Sequence, residues 1–391
     1  MTMSNFPIFR ESVLSKFRRA QRNLVFFRSF RGQYNDNPKY ISEKLHDVAP
    51  DTKIVWCISG KCRTRPPEYV EVVPYPSRAY FKLLKTAAVV VDNYVGVAQL
   101  GFHGPWGRFR KWLARNNRQL CISTWHGTPL KKIGGDLLRW KPSGYATSSD
   151  YCIAGCRYTA DCLNRAFLLE NRIRLYGTPR NDLLFRSPDP GALKRKLGLP
   201  PKRLVLFAPT FRDDVAWSGI EQVRQMDIPE LLATIGQKFG GQFAFVFRVH
   251  ARVLEQIKAD RLLPVDGQTV VDGNAADDMA EYLACADVLI TDYSGSLFDF
   301  ALTPKPCFLF APDRNHYEKV ERGFYMPYED LPYPISENFS DLLSGIRSFD
   351  PETLQAKRAR FLTQIGNVED GHAAERVVRD IVAFLQNQAN G

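Results

Sequence analysis

The chain has 391 residues, 45% hydrophobic and 24% charged, with 53 basic against 42 acidic side chains and a formal net charge of +11. That is a globular rather than a low-complexity composition, with room for two domains of ordinary size. The basic excess favours an anionic partner, such as nucleic acid, an anionic membrane or a phosphorylated substrate. Residues 1–23 lack the apolar core of a signal peptide, and no segment reaches the roughly 18 apolar residues of a membrane span, so a cytoplasmic location is expected. Short β-rich runs then recur: LVFF (24–27), KIVWCI (53–58), AVVVD (88–92), LCIS (120–123), YCIAG (151–155), RLVLFAP (203–209), FAFVFRV (243–249), VLIT (288–291) and CFLF (307–310). Most are continuously apolar instead of alternating, as strands buried on both faces of a parallel sheet should be. Helical patterns separate them, at 37–48, 227–239, 277–286 and 375–388. This alternation predicts an α/β fold with parallel sheets. The polar stretch 187–203 is the best linker, which predicts two doubly wound domains over residues 1–190 and 200–391, the C-terminal helix being a candidate to pack back on the first.

The eight cysteines fall largely inside apolar runs and read as reduced core residues. Cys152, Cys156 and Cys162 lack a second ligand pair at zinc spacing, so neither a metal nor a cofactor is expected.

In doubly wound sheets, ligands sit beyond the carboxyl ends of the strands. After LCIS come Thr124, Trp125, His126, Gly127 and Thr128; after LVLFAP come Thr210, Phe211 and Arg212. After FAFVF come Arg248, His250 and Arg252, and after VLIT come Asp292, Tyr293, Ser294, Gly295 and Ser296. Hydroxyls and free N–H groups at a helix start suit phosphate, arginines offer forked donors, and histidines can act as base or clamp. Taken singly, each has a plainer structural reading as a cap, a turn or a core histidine. What favours function is that all of them fall on one edge. Neither a Walker-type G-x-x-x-x-G-K-[ST] loop nor a G-x-G-x-x-G fingerprint is present, nor a Ser/His/Asp order with a nucleophile elbow.

These residues lie in blocks that resemble the CDP-glycerol glycerophosphotransferases, enzymes of teichoic-acid and capsule-polymer synthesis. The blocks are SFRGQYNDNPKYI (29–41), STWHGTPLKKIGGD (123–136), YGTPRNDLL (176–184), LFAPTFRDD (206–214), FRVH (247–250), ADVLITDYSGSLFDFAL (286–302), RGFYMPYEDLPYPI (322–335) and DGHAAERVV (370–378). The resemblance implies a GT-B architecture, two Rossmann-like domains facing a cleft. It implies His126 as general base and His250 as second catalytic histidine. It implies donor contacts from Gly127, Thr128, Pro129, Leu130, Arg180, Thr210, Phe211, Arg248, Val249, Ser294, Gly295 and Asp299, with Arg248 and His250 at the pyrophosphate. The implied reaction moves glycerol phosphate from CDP-glycerol to a hydroxyl of a lipid-linked saccharide or polyol-phosphate chain, releasing CMP. Ala251, Gly295 and Tyr333 depart from the family's usual Pro, Ser and Gly, which leaves donor details such as glycerol against ribitol open.

Residues 101–119 carry Arg108, Arg110, Lys111, Arg115 and Arg118 and no acid, with Trp106, Phe109, Trp112 and Leu113 among them. Basic residues with large aromatics suit an anionic membrane surface, and the implied lipid-linked acceptors point the same way, to a protein peripheral on the inner face of the membrane. The plainer alternative is a solvated helix packed by its Trp face. Rival functions are a ribitol-phosphate transferase and a GT-B nucleotide-sugar glycosyltransferase. A nucleic-acid partner is not expected, because the positive charge comes without a binding motif.

Overall fold

The computed structural model describes residues 20–30, 32–94, 119–137, 149–169, 172–186, 189–210, 219–320 and 323–389. The chain divides into two compact units, Met1–His126 with Gly134–Phe185 and Val368–Gly391, and Gly127–Ile133 with Arg186–Asn367.

The first unit is built on β1 (Gln21–Arg28), β2 (Lys53–Ile58), β3 (Glu71–Pro74), β4 (Ala87–Asp92), β5 (Leu120–Ser123), β6 (Tyr151–Ile153) and β7 (Ile173–Arg174). They pair in parallel in the order β3-β2-β1-β4-β5-β6-β7. β4 is buried along its whole length, which is why AAVVVD carries no polar alternation. The second unit holds β8 (Arg203–Phe207), β9 (Phe243–Phe247), β10 (Val270–Asp272), β11 (Val288–Thr291), β12 (Cys307–Phe310) and β13 (Ile335–Ser336). These too are parallel, in the order β10-β9-β8-β11-β12-β13. In each sheet the order reverses beside the first strand, at β1/β4 and at β8/β11. Those switch points open a crevice at the carboxyl edge of the strands.

Both domains are therefore Rossmann-like, as the strand-helix alternation predicts. The strands not anticipated, β3, β7, β10 and β13, are the outermost of each sheet and two to four residues long. Too little apolar surface is buried there to mark them in sequence. The helix Ile228–Phe239 shows why its pattern was readable. Asp227 accepts from the Glu230 N–H, Pro229 occupies its first turn, and Gly240 ends it at φ +73°.

The helix Asp36–Val48 and the C-terminal helix Ala373–Ala389 share one core. Val377, Val378, Ile381 and Leu385 pack with Ile41, Leu45, Val25, Phe27 and Trp56. The segment 368–391 thus belongs to the first unit and 127–133 to the second, so neither unit is one stretch of sequence, unlike the expected 1–190 and 200–391. The join is specific. Both carboxylate oxygens of Asp182 cap the C-terminal helix, accepting from Ala373 N at 2.9 Å and Ala374 N at 2.8 Å. Glu369 accepts from Thr178 N at 2.9 Å, and Val368 N donates to Gly155 O at 3.0 Å. Seven of the eight cysteines are buried, as core residues should be. No helix among the described residues is long and apolar enough to cross a membrane.

Candidate active site

In the first unit β5 runs out at Ser123, and Thr124, Trp125 and His126 follow. Trp125 takes φ +52°, a left-handed conformation that a bulky side chain adopts only when its surroundings impose it. Those surroundings are buried amides and charges. Asn37 donates through Nδ2 to the carbonyls of Thr124 (3.2 Å) and Trp125 (3.1 Å), and its Oδ1 accepts from Arg180 N (3.1 Å). Arg180 Nη1 donates to Asp36 Oδ1 at 2.6 Å and to the His126 carbonyl at 2.9 Å. Asp36 Oδ2 in turn accepts from Asn93 Nδ2 at 2.7 Å. Asn93 follows β4, and its Oδ1 accepts from Phe30 N at 2.9 Å beyond β1. The loop therefore rests on groups from the ends of β1 and β4, the short 3-10 helix Pro179–Asn181 and the start of one helix.

This network decides the state of His126. Its Nδ1 lies 2.9 Å from the Asn93 carbonyl oxygen. A carbonyl only accepts, so Nδ1 carries the hydrogen and Nε2 of the neutral ring keeps its lone pair. The ring is half-buried, with ring centroids of Trp125 at 4.0 Å, Phe30 at 5.7 Å and Tyr94 at 5.8 Å. Burial lowers its pKa below the usual imidazole value, and the Arg180 cation pushes the same way. The Asn93 carbonyl and the carboxylates of Asp36 and Asp92 oppose this but do not prevail. Gly127, at φ +117°, continues the turn in a conformation suited to glycine.

In the second unit Thr210, Arg248, Val249, His250, Ser294 and Gly295 lie at the ends of β8, β9 and β11, the carboxyl edge of that sheet. Asp292, fully buried, binds two of these ends together. Its Oδ1 accepts from Thr210 N at 2.7 Å and Tyr293 N at 2.6 Å, and its Oδ2 from Gln222 Nε2 at 3.1 Å. Ser296 donates to Ser294 Oγ at 3.0 Å. The helix that follows, Ser296–Phe300, has five residues, so its dipole is small and the turn's hydroxyls and N–H groups matter more. Asp299 is buried within that helix.

The segment 127–133 runs alongside 323–325 of the same unit. Tyr325 N donates to Leu130 O at 2.9 Å and Lys132 N to Gly323 O at 3.1 Å. Pro129 and Leu130 are buried. A Cβ on Gly295 would stand 3.0 Å from the Thr128 carbonyl, so glycine at this position fits a close approach of the two segments.

Two arginines have work that their placement in sequence did not reveal. Arg248 donates to the carbonyls of Gly273 (2.8 Å), Ala276 (2.6 Å) and Asp277 (2.8 Å) and lies over the Tyr282 ring. These bonds hold the loop after β10. Arg180 likewise supports the His126 loop. Val249 is buried and His250 exposed at the start of the helix Ala251–Ala259. Phe211 lies outside the described residues, as do Trp106, Arg108, Phe109, Lys111, Trp112, Arg115 and Arg118. The supporting residues that strand-end reading passed over are Asn93 and Gln222, and Asp292 was found there without its role as a tie between strand ends. Asn93 and Asp292 do follow strands, and that was the available signal.

A family model described as CDP-Glycerol:Poly(glycerophosphate) glycerophosphotransferase matches residues 11–383. The chain belongs to this family. A teichoic acid glycerol-phosphate transferase of Staphylococcus aureus is 29% identical over 392 residues, which cover 94% of this chain and 95% of the relative. The teichoic acid poly(glycerol phosphate) polymerase of Bacillus subtilis is 28% identical over 93% of this chain, which spans about half, 49%, of that longer protein. Among solved structures, the wall teichoic acid polymerase TagF superposes with a TM-score of 0.78 at 27% identity, covering 99% of this chain and 96% of that one, in a histidine-to-asparagine variant with CDPG. A histidine-to-alanine variant of TagF matches with a TM-score of 0.78 and 28% identity, over 99% and 97% of the chains. The two Rossmann-like domains of this glycerophosphotransferase family member are thus those of a GT-B fold. The reaction class expected from its motifs, glycerol-phosphate transfer from CDP-glycerol, is the family's own.

Proposed function

We propose that the chain transfers glycerol phosphate from CDP-glycerol to a hydroxyl of a polyol-phosphate chain or lipid-linked saccharide and releases CMP, in the assembly of a teichoic-acid-like or capsule polymer. One observation carries the reading. His126 is held with Nδ1 protonated and its pKa depressed, which makes Nε2 a base at neutral pH. Nε2 takes the proton of the acceptor hydroxyl. The oxygen attacks the β-phosphorus of CDP-glycerol, the bond from that phosphorus to the bridging oxygen breaks, and CMP leaves with it. Such chemistry asks for positioning and charge stabilisation, not a covalent intermediate. Gly127 and Thr128 lie beside the base, and Pro129 and Leu130 set their backbone. Thr210 and the Ser294-Gly295 turn, tied by Asp292, offer N–H and hydroxyl donors to the donor phosphates, and His250 adds the second imidazole. Arg248, which also holds the loop after β10, faces the pyrophosphate with His250, and Asp299, buried in the helix after the Ser294 turn, completes the donor side. That TagF was solved with one histidine changed to asparagine and with one changed to alanine agrees with histidine-dependent chemistry.

The test is a transfer reaction with CDP-glycerol and a glycerol-phosphate-primed acceptor, read by mass spectrometry. The expected products are an acceptor one glycerol phosphate heavier and CMP. His126→Ala and His250→Ala should each lower turnover by at least about 10²-fold with circular dichroism unchanged. Either variant keeping near-wild-type kcat would remove that histidine from the reaction, and release of a nucleoside diphosphate would move the chain to the sugar transferases.

For a lipid-linked acceptor the protein would dock on an anionic membrane face through residues 101–119, with Arg108, Lys111, Arg115 and Arg118 supplying charge and Trp106, Phe109 and Trp112 apolar area.

A further inference from the structure

The loop that leaves β2 reads SGKCRTRPP over residues 59–67. It starts from the carboxyl edge of the first sheet, the edge that also carries His126 after β5. Lys61, Arg63 and Arg65 are exposed, while Cys62 and Thr64 between them are half-buried. Exposure alternates along a segment that turns at Gly60 and Lys61 and bends at Thr64. The backbone is pinned. Ser59 N donates to Gly32 O at 2.8 Å, and Cys62 N to Ser59 O at 3.0 Å. Cys62 Sγ accepts from Tyr34 N at 3.3 Å and donates to Thr64 O at 3.2 Å, and the residue packs against the core of the first unit. Gly32 has φ +90°, and a Cβ there would lie 2.6 Å from Ser59 N, so this close approach requires glycine. Pro66 and Pro67 stiffen the exit.

The result is three cations within five residues on a fixed backbone, with no acid between Thr52 and Glu68. Neither Lys61 nor Arg65 is in an ion pair among the described residues. A pre-ordered row of cations suits a flexible polyanion, because the protein's share of the ordering entropy is spent on folding and not on binding. Between β2 and β5 stand β1 and β4, three strand spacings or roughly 14 Å. A chain whose terminal hydroxyl reached His126 could therefore run back across the sheet edge to this loop.

We propose that Lys61, Arg63 and Arg65 form a subsite for the phosphodiesters of a poly(glycerol phosphate) acceptor, gripping polymer already made while its end reacts. The subsite deepens the transferase reading and rests on it for the acceptor's chemistry. The experiment compares the full chain with the triple variant Lys61→Gln, Arg63→Gln, Arg65→Gln. Soluble poly(glycerol phosphate) is first titrated into each without donor. The wild type should bind it with salt-sensitive affinity and the variant at least about tenfold more weakly. In turnover, KM for an oligomeric acceptor should rise at least about tenfold, while KM for CDP-glycerol and for a single-unit acceptor stays within about twofold. Equal polymer binding by both proteins overturns the proposal, as does an equal KM rise for long and short acceptors. If the variant loses only its sedimentation with phosphatidylglycerol vesicles, the loop is a lipid-docking surface and the subsite is wrong. Polymer binding by the wild type without any glycerol-phosphate transfer would instead sink the transferase reading and leave the subsite standing.

Discussion

His126 is where one side chain's environment sets its chemistry. Its pKa lies below the usual imidazole value of about 6.5, chiefly through burial. In the proposed reaction the neutral ring is the active form, so protonation abolishes the base. kcat/KM should therefore stay flat through neutral pH and fall on the acid side, with a limb centred below about 6.5. A pH–rate profile whose acid limb lay above that value would contradict a buried, neutral base. Asn93 acts through its backbone carbonyl, which its side chain holds in place by bonds to Phe30 N and Asp36. Asn93→Ala should lower kcat about tenfold, the scale of one misplaced hydrogen bond, with KM for CDP-glycerol changed less than about twofold. Nitrogen-15 spectra of the imidazole should show a single Nδ1–H tautomer in the wild type and a mixture in the variant. A single unchanged tautomer in Asn93→Ala would reduce that residue to packing. The histidine was legible because it stands directly after an apolar run. Its partner was not, because a carbonyl belongs to every residue and only the fold selects this one.

Among elements, the C-terminal helix depends most on remote sequence. Asp182 caps it from 191 residues away, through both carboxylate oxygens. Asp182→Ala should cost about 1–2 kcal/mol, seen as a lower urea midpoint, since two buried N–H groups lose their acceptor. Gly177 sits at φ +91°, and a Cβ there would meet the Ala373 Cβ at 2.8 Å. Gly177→Ala should destabilise by about 1–3 kcal/mol through backbone strain and displacement of that helix. If both variants unfolded like the wild type, the helix would not be held as described. The pattern of residues 375–388 marks a helix plainly in the sequence. Its place against the helix Asp36–Val48 follows from apolar faces that find each other only when the sheet is assembled.

At the scale of the whole molecule, the proposed membrane docking rests on the net charge of +11 and on the basic, aromatic-rich residues 101–119. Each basic side chain near an anionic leaflet contributes about 1 kcal/mol, and salt shortens its reach to about 8 Å at physiological ionic strength. The protein should sediment with phosphatidylglycerol vesicles at low salt and come off in part at high salt. Exchanging Arg108, Lys111, Arg115 and Arg118 for Glu should abolish sedimentation and leave CDP-glycerol binding intact. Undiminished vesicle binding by that variant would move the docking surface elsewhere, the basic stretch 16–22 being the next to change.

The apolar runs by themselves determined the class of the fold, because a strand buried on both faces must be apolar at every position. The eight motif blocks likewise determined the family, and the order of strand ends determined which loops are proposed to carry its chemistry. Only the tertiary structure decided which strand ends are neighbours, since the reversal beside β1 and β8 comes from crossovers that no local pattern encodes. It also decided what the charged residues do. Arg180 and Arg248 are expected donor contacts, and their guanidinium groups also reach backbone carbonyls of their own units, which no local pattern shows. A side chain's type sets which bonds it can make, whereas its actual partners are set by packing between segments far apart in sequence.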